Sequence, residues 1–299
     1  MKTKMMTTIV KVAWCLALLA LSTDQRALAW GQEGHSIIAE IAQREVKPAT
    51  RDAIDKILNH GTLASVASWA DDVKFTSRPD TAPWHFVNIP LNQDTYTPAD
   101  CTDKADPSRG DTCLVAALTK LKPELSCAKD SQTKLDDLRF VVHLVGDITQ
   151  PLHTVDDLQG GNGLTVKEDF CGLKDSTCSL PANPPSLNFH VLWDSTLITE
   201  TFFDWGGYVD RLYDPQHGWL NSSEAHSPDP AGDSIVAWAN DTHAAAQNVW
   251  TRLLPANDVI DQKYYSAVLP ILDRQLGIGG LRLTRFLDAV LAPDACPAH

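Results

Sequence analysis

The chain has 299 residues, and its 38 acidic against 25 basic side chains give a net charge of −13. Affinity for phosphate backbones comes mostly from Lys and Arg, so this balance excludes a basic protein that grips nucleic acid non-specifically. No repeat, heptad array or low-complexity linker divides the chain, and its length suits one large domain.

Residues 1–29 read as a cleavable export leader. Lys2, Lys4 and Lys11 supply the positive start, Val12 to Leu21 the apolar run, and Ala27-Leu28-Ala29 the small-residue cleavage site. That run is too short to span a bilayer, and no later one reaches the needed length, so no membrane anchor is expected. Cleavage after Ala29 leaves residues 30–299 as one domain, secreted or periplasmic. It carries 21 basic and 37 acidic residues, a net −16.

The apolar periodicity from Trp30 onward is mostly helical. Gly34 to Val46 places Ile37, Ile38 and Ile41 on one face. Pro48 to Asn59 has Pro near its start and Gly61 just beyond its end. Leu63 to Val73 is a third candidate. Lys134 to Thr149 is the clearest, with Leu138, Val141, Val142 and Val145 as its apolar positions. Asn188 to Thr199, Ser234 to Leu254 and Asp261 to Leu291 follow, the last with a break expected near Gly277–Gly280. Residues 76–110 and 155–187 are rich in Pro, Gly, Asp and Asn and read as long loops over the helices. Trp84–Ile89 and Leu164–Val166 are the expected short strands. The fold class is therefore mainly α, with at most a small β-hairpin.

Six cysteines follow the leader: Cys101, Cys113, Cys127, Cys171, Cys178 and Cys296. An even count in an exported chain points to disulfides that staple the loops. Spacing suggests a local closure for Cys171 and Cys178 and leaves the other pairings open. Asn221-Ser-Ser and Asn240-Asp-Thr match the glycosylation pattern.

The chemistry concentrates in His143-Leu-Val-Gly-Asp147-Ile-Thr-Gln-Pro-Leu-His153 and its echo, His190-Val-Leu-Trp-Asp194. Both contain His-x3-Asp. On a helix, positions i and i+4 share a face, so an imidazole and a carboxylate can close on one cation. This donor mixture suits zinc, which activates water for hydrolysis. One such pair alone is as readily a hydrogen-bonded core histidine, but two pairs with a third His beside them are a stronger signal. Asp71 near a helix end, His85 in Trp84-His-Phe86, and His35 near the new N-terminus are further candidates. His60, His217, His226, His243 and His299 lack a carboxylate at useful spacing and read as surface or packing residues. No Gly-x-Ser-x-Gly elbow or P-loop is present.

The run from His143 to His153, with Gly146 and Gln150-Pro151-Leu152 inside it, resembles the signature of the zinc-dependent single-strand-specific nucleases. So do Trp30-Gly-x3-His35, Ser68-Trp-Ala-Asp71, His85-Phe86 and Asn188-x-His190-x3-Asp194. The resemblance covers Trp30 to Asp194. It implies a helical fold shared with zinc-dependent phospholipase C and three zinc ions. By that pattern His85, His143, Asp71 and Asp147 hold the first, with Asp71 and Asp147 as the catalytic carboxylates. Asp147 bridges to a second, held by His35 and by the α-amino nitrogen and carbonyl oxygen of Trp30. His153, His190 and Asp194 hold the third.

The same resemblance implies an endonuclease that cleaves single-stranded DNA and RNA to products ending in 5′-phosphate, with 3′-nucleotidase action as an extension; a monomer without an obligate protein partner is the default expectation. It places a stacked base on Phe86 and a base-edge contact at Asn88, where relatives often carry Asp. Asn162 lies in Gly160-Gly-Asn-Gly163, which resembles the family's glycine-asparagine turn near the cleft and reads either as a lining of the substrate groove or simply as a turn. Two rivals compete: a phospholipase C acting on lipid headgroups, and a secreted zinc binder without turnover. Phospholipases of that group more typically carry Glu at the position of Asp194 and a longer gap from the terminal Trp to the first His. Both departures favour the nuclease.

Overall fold

The clearest predicted helix begins earlier than its apolar stripe. A computed structural model describes residues 30–102 and 112–296. In it α5 spans Ser131–Asp147, opened by Asp130, whose carboxylate accepts from the Thr133 N–H and satisfies a donor the first turn leaves orphaned. The chain leaves α5 into a short 3-10 turn at Pro151–Thr154. Proline has no N–H to give an α-helix, but it fits the first position of such a turn. The expected leader and His299 lie outside the described residues.

Two further helices hold α5 in place. α1 (Gln32–Glu45) buries Ile37, Ile38 and Ile41 completely. α10 runs unbroken from Gln262 to Val290, capped by the Asp261 carboxylate on the Tyr264 N–H. The break expected at Gly277–Gly280 does not occur, because these glycines serve close packing. A Cβ on Gly280 would lie 2.4 Å from Ile41 Cγ2, and one on Gly279 would lie 2.8 Å from Thr149 Oγ1. The absent side chains let α10 settle on α1 and on the end of α5.

Other elements follow the expectation with local changes. α2 spans Pro48–Leu58. The Leu63–Val73 segment divides into a 3-10 turn at Ala64–Val66 and α3 (Trp69–Lys74). α4 (Leu114–Cys127) was not expected: Leu114, Leu118, Leu121 and Leu125 do form a helical stripe, but Pro123 within it reads as a helix breaker. Asn188 caps α6 (Phe189–Val191), which passes through a π-turn at Leu192–Thr196 into α7 (Leu197–Thr201). α8 (Trp205–Leu212), also unexpected, is short and holds two glycines. α9 (Ile235–Gln247) continues into a π-turn at Asn248–Leu253.

The strands differ more. β1 (Thr165–Asp169) pairs antiparallel with β2 (Ser186–Asn188), as a small hairpin would. It also pairs in parallel with β3 (Val259–Asp261), giving a sheet of order β2-β1-β3. The strand expected at Trp84–Ile89 is absent: Pro79–His85 is a 3-10 helix. Beyond it, backbone groups bond to three separate segments, one of them through Asn88 N donating to Asp100 O. Phe86 O accepts from Leu114 N, Val87 N donates to His153 O, and Ile89 O accepts from Asp156 N. His153 and Asp156 belong to one segment beside residues 87–89, but its bonds are spaced three residues apart against two on this side, so no ladder forms.

Three disulfides join Cys101 to Cys113, Cys127 to Cys296 and Cys171 to Cys178. The last is the local closure read from spacing. Both sequon asparagines are engaged internally: Asn240 Oδ1 accepts from Tyr96 N, and Asn221 Nδ2 donates to the Tyr213 carbonyl. Among the described residues no helix is long and apolar enough to cross a membrane.

Asp137 on α5 is a site of tension. Burial, then repulsion from Glu124 and Asp136, raises its pKa from 3.8 to about 6, and its Oδ2 has no hydrogen bond. A carboxyl that holds its proton more tightly when folded costs nothing below the lower value and its full penalty above the higher one. Asp137→Asn should therefore stabilise the fold by about 1 kcal/mol above pH 6, after allowing for solvent screening at this half-exposed group. Below pH 4 the variant and parent should melt alike. Urea midpoints across that range read the difference.

Candidate active site

The C-terminal half of α5 carries His143 and Asp147 on one buried face, and three other segments deliver their partners. α3 brings Asp71, the 3-10 helix before Phe86 brings His85, and α1 brings His35. All five side chains are buried. His85 Nδ1 lies 3.1 Å from His143 Nε2, 3.0 Å from Asp147 Oδ2 and 3.6 Å from Asp71 Oδ1. His143 Nε2 lies 3.5 Å from Asp71 Oδ1 and 3.3 Å from Asp147 Oδ2. Four donors bound at 2.0–2.1 Å in a tetrahedron stand about 3.3 Å apart. The five measured edges bracket that value, so this donor set fits a tetrahedral divalent ion.

Asp147 faces two ways. Its other oxygen, Oδ1, lies 3.4 Å from His35 Nε2 and 3.5 Å from His153 Nδ1. Neither Asp147 Oδ1 nor either His35 ring nitrogen makes a hydrogen bond. Buried polar atoms without partners are costly, and clustered ones point to a cation. His35 reaches this point because Gly146 has no side chain: a Cβ there would lie 2.7 Å from His35 Nδ1. The His35 ring stacks on His143 at 3.8 Å. Trp30, fully buried, anchors the chain just before α1, its indole N–H meeting Thr149 Oγ1 at 3.4 Å.

A third group lies alongside. His190 Nε2 is 3.2 Å from Asp194 Oδ2, and His153 Nε2 is 3.8 Å from Asp194 Oδ1. Asp194 Oδ1 also accepts from the Gln150 amide, and Gly31 N donates to the Asp194 carbonyl at 2.7 Å. The i,i+4 pair sits across the π-turn rather than in a regular helix. Three sets of buried His and Asp side chains can thus hold metal ions: His35, Asp71 and His143; His85, His143 and Asp147; His153, His190 and Asp194.

Backbone carbonyls fix which ring nitrogen faces inward. His143 Nδ1 donates to the Ala67 carbonyl at 2.7 Å, His153 Nδ1 to that of His85 at 2.7 Å, and His190 Nδ1 to that of Gly160 at 2.6 Å. A carbonyl only accepts, so each Nδ1 carries the proton and each Nε2 offers a lone pair to a metal.

The electrostatics are those of a site built around positive charge. Burial lowers His35 and His85 to about 4 and His190 to about 3. Burial also opposes charge on His143, but Asp147 and Asp71 outweigh it and raise His143 to about 10. Burial pushes Asp194 well above the usual carboxyl range. Asp147, though buried, is held well below that range by His143 and His153.

Lys74 was missed by sequence reasoning. Its buried ammonium pairs with Asp71 and lines the cavity above the cluster. The signal was available: Lys74 stands three residues after Asp71 on a helix, the spacing of facing side chains. Gln150, which orients Asp194, lies inside the signature run but offers no such spacing clue.

The cavity has a volume of about 450 Å³ and is bordered by Lys74, His85, Phe86, Asn88, His153 and His190, among others. Phe86 is 41% exposed, unusual for so large an apolar residue beside a buried cluster. Asn88 and Asn162 also line it, and Asn162 Nδ2 donates to the Gln159 carbonyl. The far wall is the turn Asp156 to Gly163. It holds Leu158, Gln159, Gly160 and Gly161 at φ of 46°, 57°, 61° and 85°. The left-handed region costs a residue with a side chain about 1–2 kcal/mol.

The S1/P1 nuclease family profile matches residues 30–292. The chain belongs to the S1/P1 nuclease family. It is 29% identical to Nuclease S1 of Aspergillus oryzae, covering 92% of this chain and 96% of that protein. It is 28% identical to Nuclease P1 of Penicillium citrinum, over 87% and 97%. Endonuclease 2 of Arabidopsis thaliana is 27% identical, over 87% and 90%. This S1/P1 member is thus a nuclease, a hydrolase of phosphodiester bonds, and the helical fold agrees with that membership.

Asp147 is the residue whose loss should disturb two metal positions at once. Asp147→Ala should retain the fold yet lower bound metal by more than one equivalent and cut turnover at least about 10²–10³-fold. Elemental analysis beside activity checks this. Unchanged metal content would remove Asp147 from its bridging place.

Proposed function

We propose that the mature chain is an exported, monomeric, zinc-dependent endonuclease. It cleaves single-stranded DNA and RNA to products with 5′-phosphate ends and also acts as a 3′-nucleotidase. The observation that carries this reading is the near-tetrahedral set around Asp147, extended by His35, whose member His85 borders a cavity with the exposed aromatic residue Phe86. Residues 30–299 act as one catalytic domain.

His85, His143, Asp71 and Asp147 would hold one zinc. Asp147, His35 and the Trp30 amine and carbonyl would hold a second, and His153, His190 and Asp194 a third. When bound, zinc supplies Lewis acidity and a water acidic enough to attack near neutral pH. Asp147 would face both positions, and its negative charge would offset part of the repulsion between two cations held there. Asp71 completes the first donor set and neutralises part of its charge. Lys74 offers its ammonium to a non-bridging phosphate oxygen from the Asp71 side. Phe86 stacks an unpaired base, which a duplex withholds, and so selects single strands. Asn88 and Asn162 border the same base.

The Trp30 assignment links export to activity. Only removal of residues 1–29 creates its α-amine, and that amine must be deprotonated to bind metal. Protein purified with two residues added before Trp30 should bind at least one zinc fewer and lose most activity, while its melting temperature without zinc stays unchanged. Full zinc content in the extended form would end this assignment.

The reading as a whole is tested by digesting single-stranded DNA and RNA with and without chelator and identifying the product ends. Chelator-sensitive cleavage leaving 5′-phosphates, restored by zinc, is the expected result. A folded, zinc-loaded protein that leaves both polymers intact would contradict it.

A further inference from the structure

We propose that Gln159 is a nucleobase-contacting residue that makes the Phe86 subsite tolerant of all four bases, an inference that builds on the nuclease reading. The starting point is the run of four positive φ angles at Leu158, Gln159, Gly160 and Gly161. The two glycines have evident reasons. A Cβ on Gly160 would lie 2.6 Å from the Leu152 carbonyl, and one on Gly161 would lie 3.2 Å from Phe189. Gly160 also supplies the carbonyl that orients His190. Gln159 has no such reason. Glycine would adopt its φ of 57° more easily, so its side chain is kept against a backbone preference. Strained residues cluster where a side chain must be aimed.

Gln159 borders the cavity shared with Phe86, Asn88 and Asn162. Within its own turn Gln159 uses only its backbone: its N–H donates to the Asp156 carbonyl, and its carbonyl accepts from Asn162 Nδ2. Its carboxamide spends neither donor nor acceptor on the described residues, and the same holds for Asn88. Two neutral amides thus stand beside an exposed ring of the kind that stacks bases.

An amide presents one donor and one acceptor side by side. Each base offers a matching adjacent pair: N6–H and N1 of adenine, N4–H and N3 of cytosine, N1–H and O6 of guanine, N3–H and O4 of uracil or thymine. The amide matches any of these by rotating half a turn. A carboxylate accepts only, and pairs twice only with guanine, through N1–H and N2–H. Gln159→Glu therefore converts a tolerant subsite into a guanine-favouring one.

The experiment measures binding of AMP, GMP, CMP and UMP by calorimetry to the zinc-loaded mature protein, to Gln159→Gly and to Gln159→Glu. Melting temperatures and turnover of a single-stranded oligonucleotide accompany it. Wild type should bind the four within about threefold of one another. Gln159→Gly should melt no lower than wild type, because glycine relaxes the turn, yet bind all four about three- to tenfold more weakly, the effect of one hydrogen bond. Gln159→Glu should raise the preference for GMP over the others about threefold or more. Undiminished binding by Gln159→Gly, or equal weakening of all four by Gln159→Glu, would overturn the proposal, as would a wild type that binds none. Gln159-dependent binding by a protein that cleaves no polynucleotide would uphold the subsite and refute the nuclease reading instead.

Discussion

The Asp147 carboxylate is wholly buried, meets four imidazoles (His35, His85, His143 and His153) and leaves one oxygen without a hydrogen bond. A charge this far from water is tolerated only if opposite charge comes to it. His143 answers part of the demand from one side, and Lys74 enters through Asp71 on the other. Neither reaches the oxygen that faces His35. The structure around α5 is arranged to keep this anionic centre dry and open toward cations, and the acidic balance of the chain agrees with it.

The scaffold meets that constraint by fixing directions rather than by adding charge. Three carbonyls, from Ala67, His85 and Gly160, set three imidazole tautomers. Two of them belong to cavity-lining residues, so the shape of the cleft and the aim of the donors are set together. Gly146 clears space for His35, and Gly279 and Gly280 let α10 press on α1, the helix that carries His35. A side chain at any of these three glycines would move a donor by a fraction of an ångström or more, enough to spoil a coordination shell.

Much of this was legible in the sequence, and the reasons it failed elsewhere are local. His-x3-Asp spacing on a periodic helix is a geometric statement, so the approach of His143 and Asp147 could be read directly. The meeting of His35, Asp71 and His85 with them could not. It depends on α1, α3 and a 3-10 helix converging, and only the resemblance to known nucleases anticipated it. The supposed strand at Trp84–Ile89 shows the limit of alternation: a segment tied to three partners looks extended without joining a sheet. The glycines of α10 misled for the opposite reason, since glycine breaks helices by propensity but permits them by packing. Lys74 and Gln159 escaped because their importance lies in where the backbone aims them.

The central claim is that Asp147 joins two metal positions and that a third lies at His153, His190 and Asp194. It is tested most directly by anomalous diffraction at the zinc absorption edge on crystals of the mature protein. The account predicts three peaks, two of them about 3.5–4 Å apart with Asp147 between them, and Lys74 turned from Asp71 toward the cavity. A single peak at the four-donor set, with Asp147 Oδ1 and His35 bonded only to each other or to water, would contradict it.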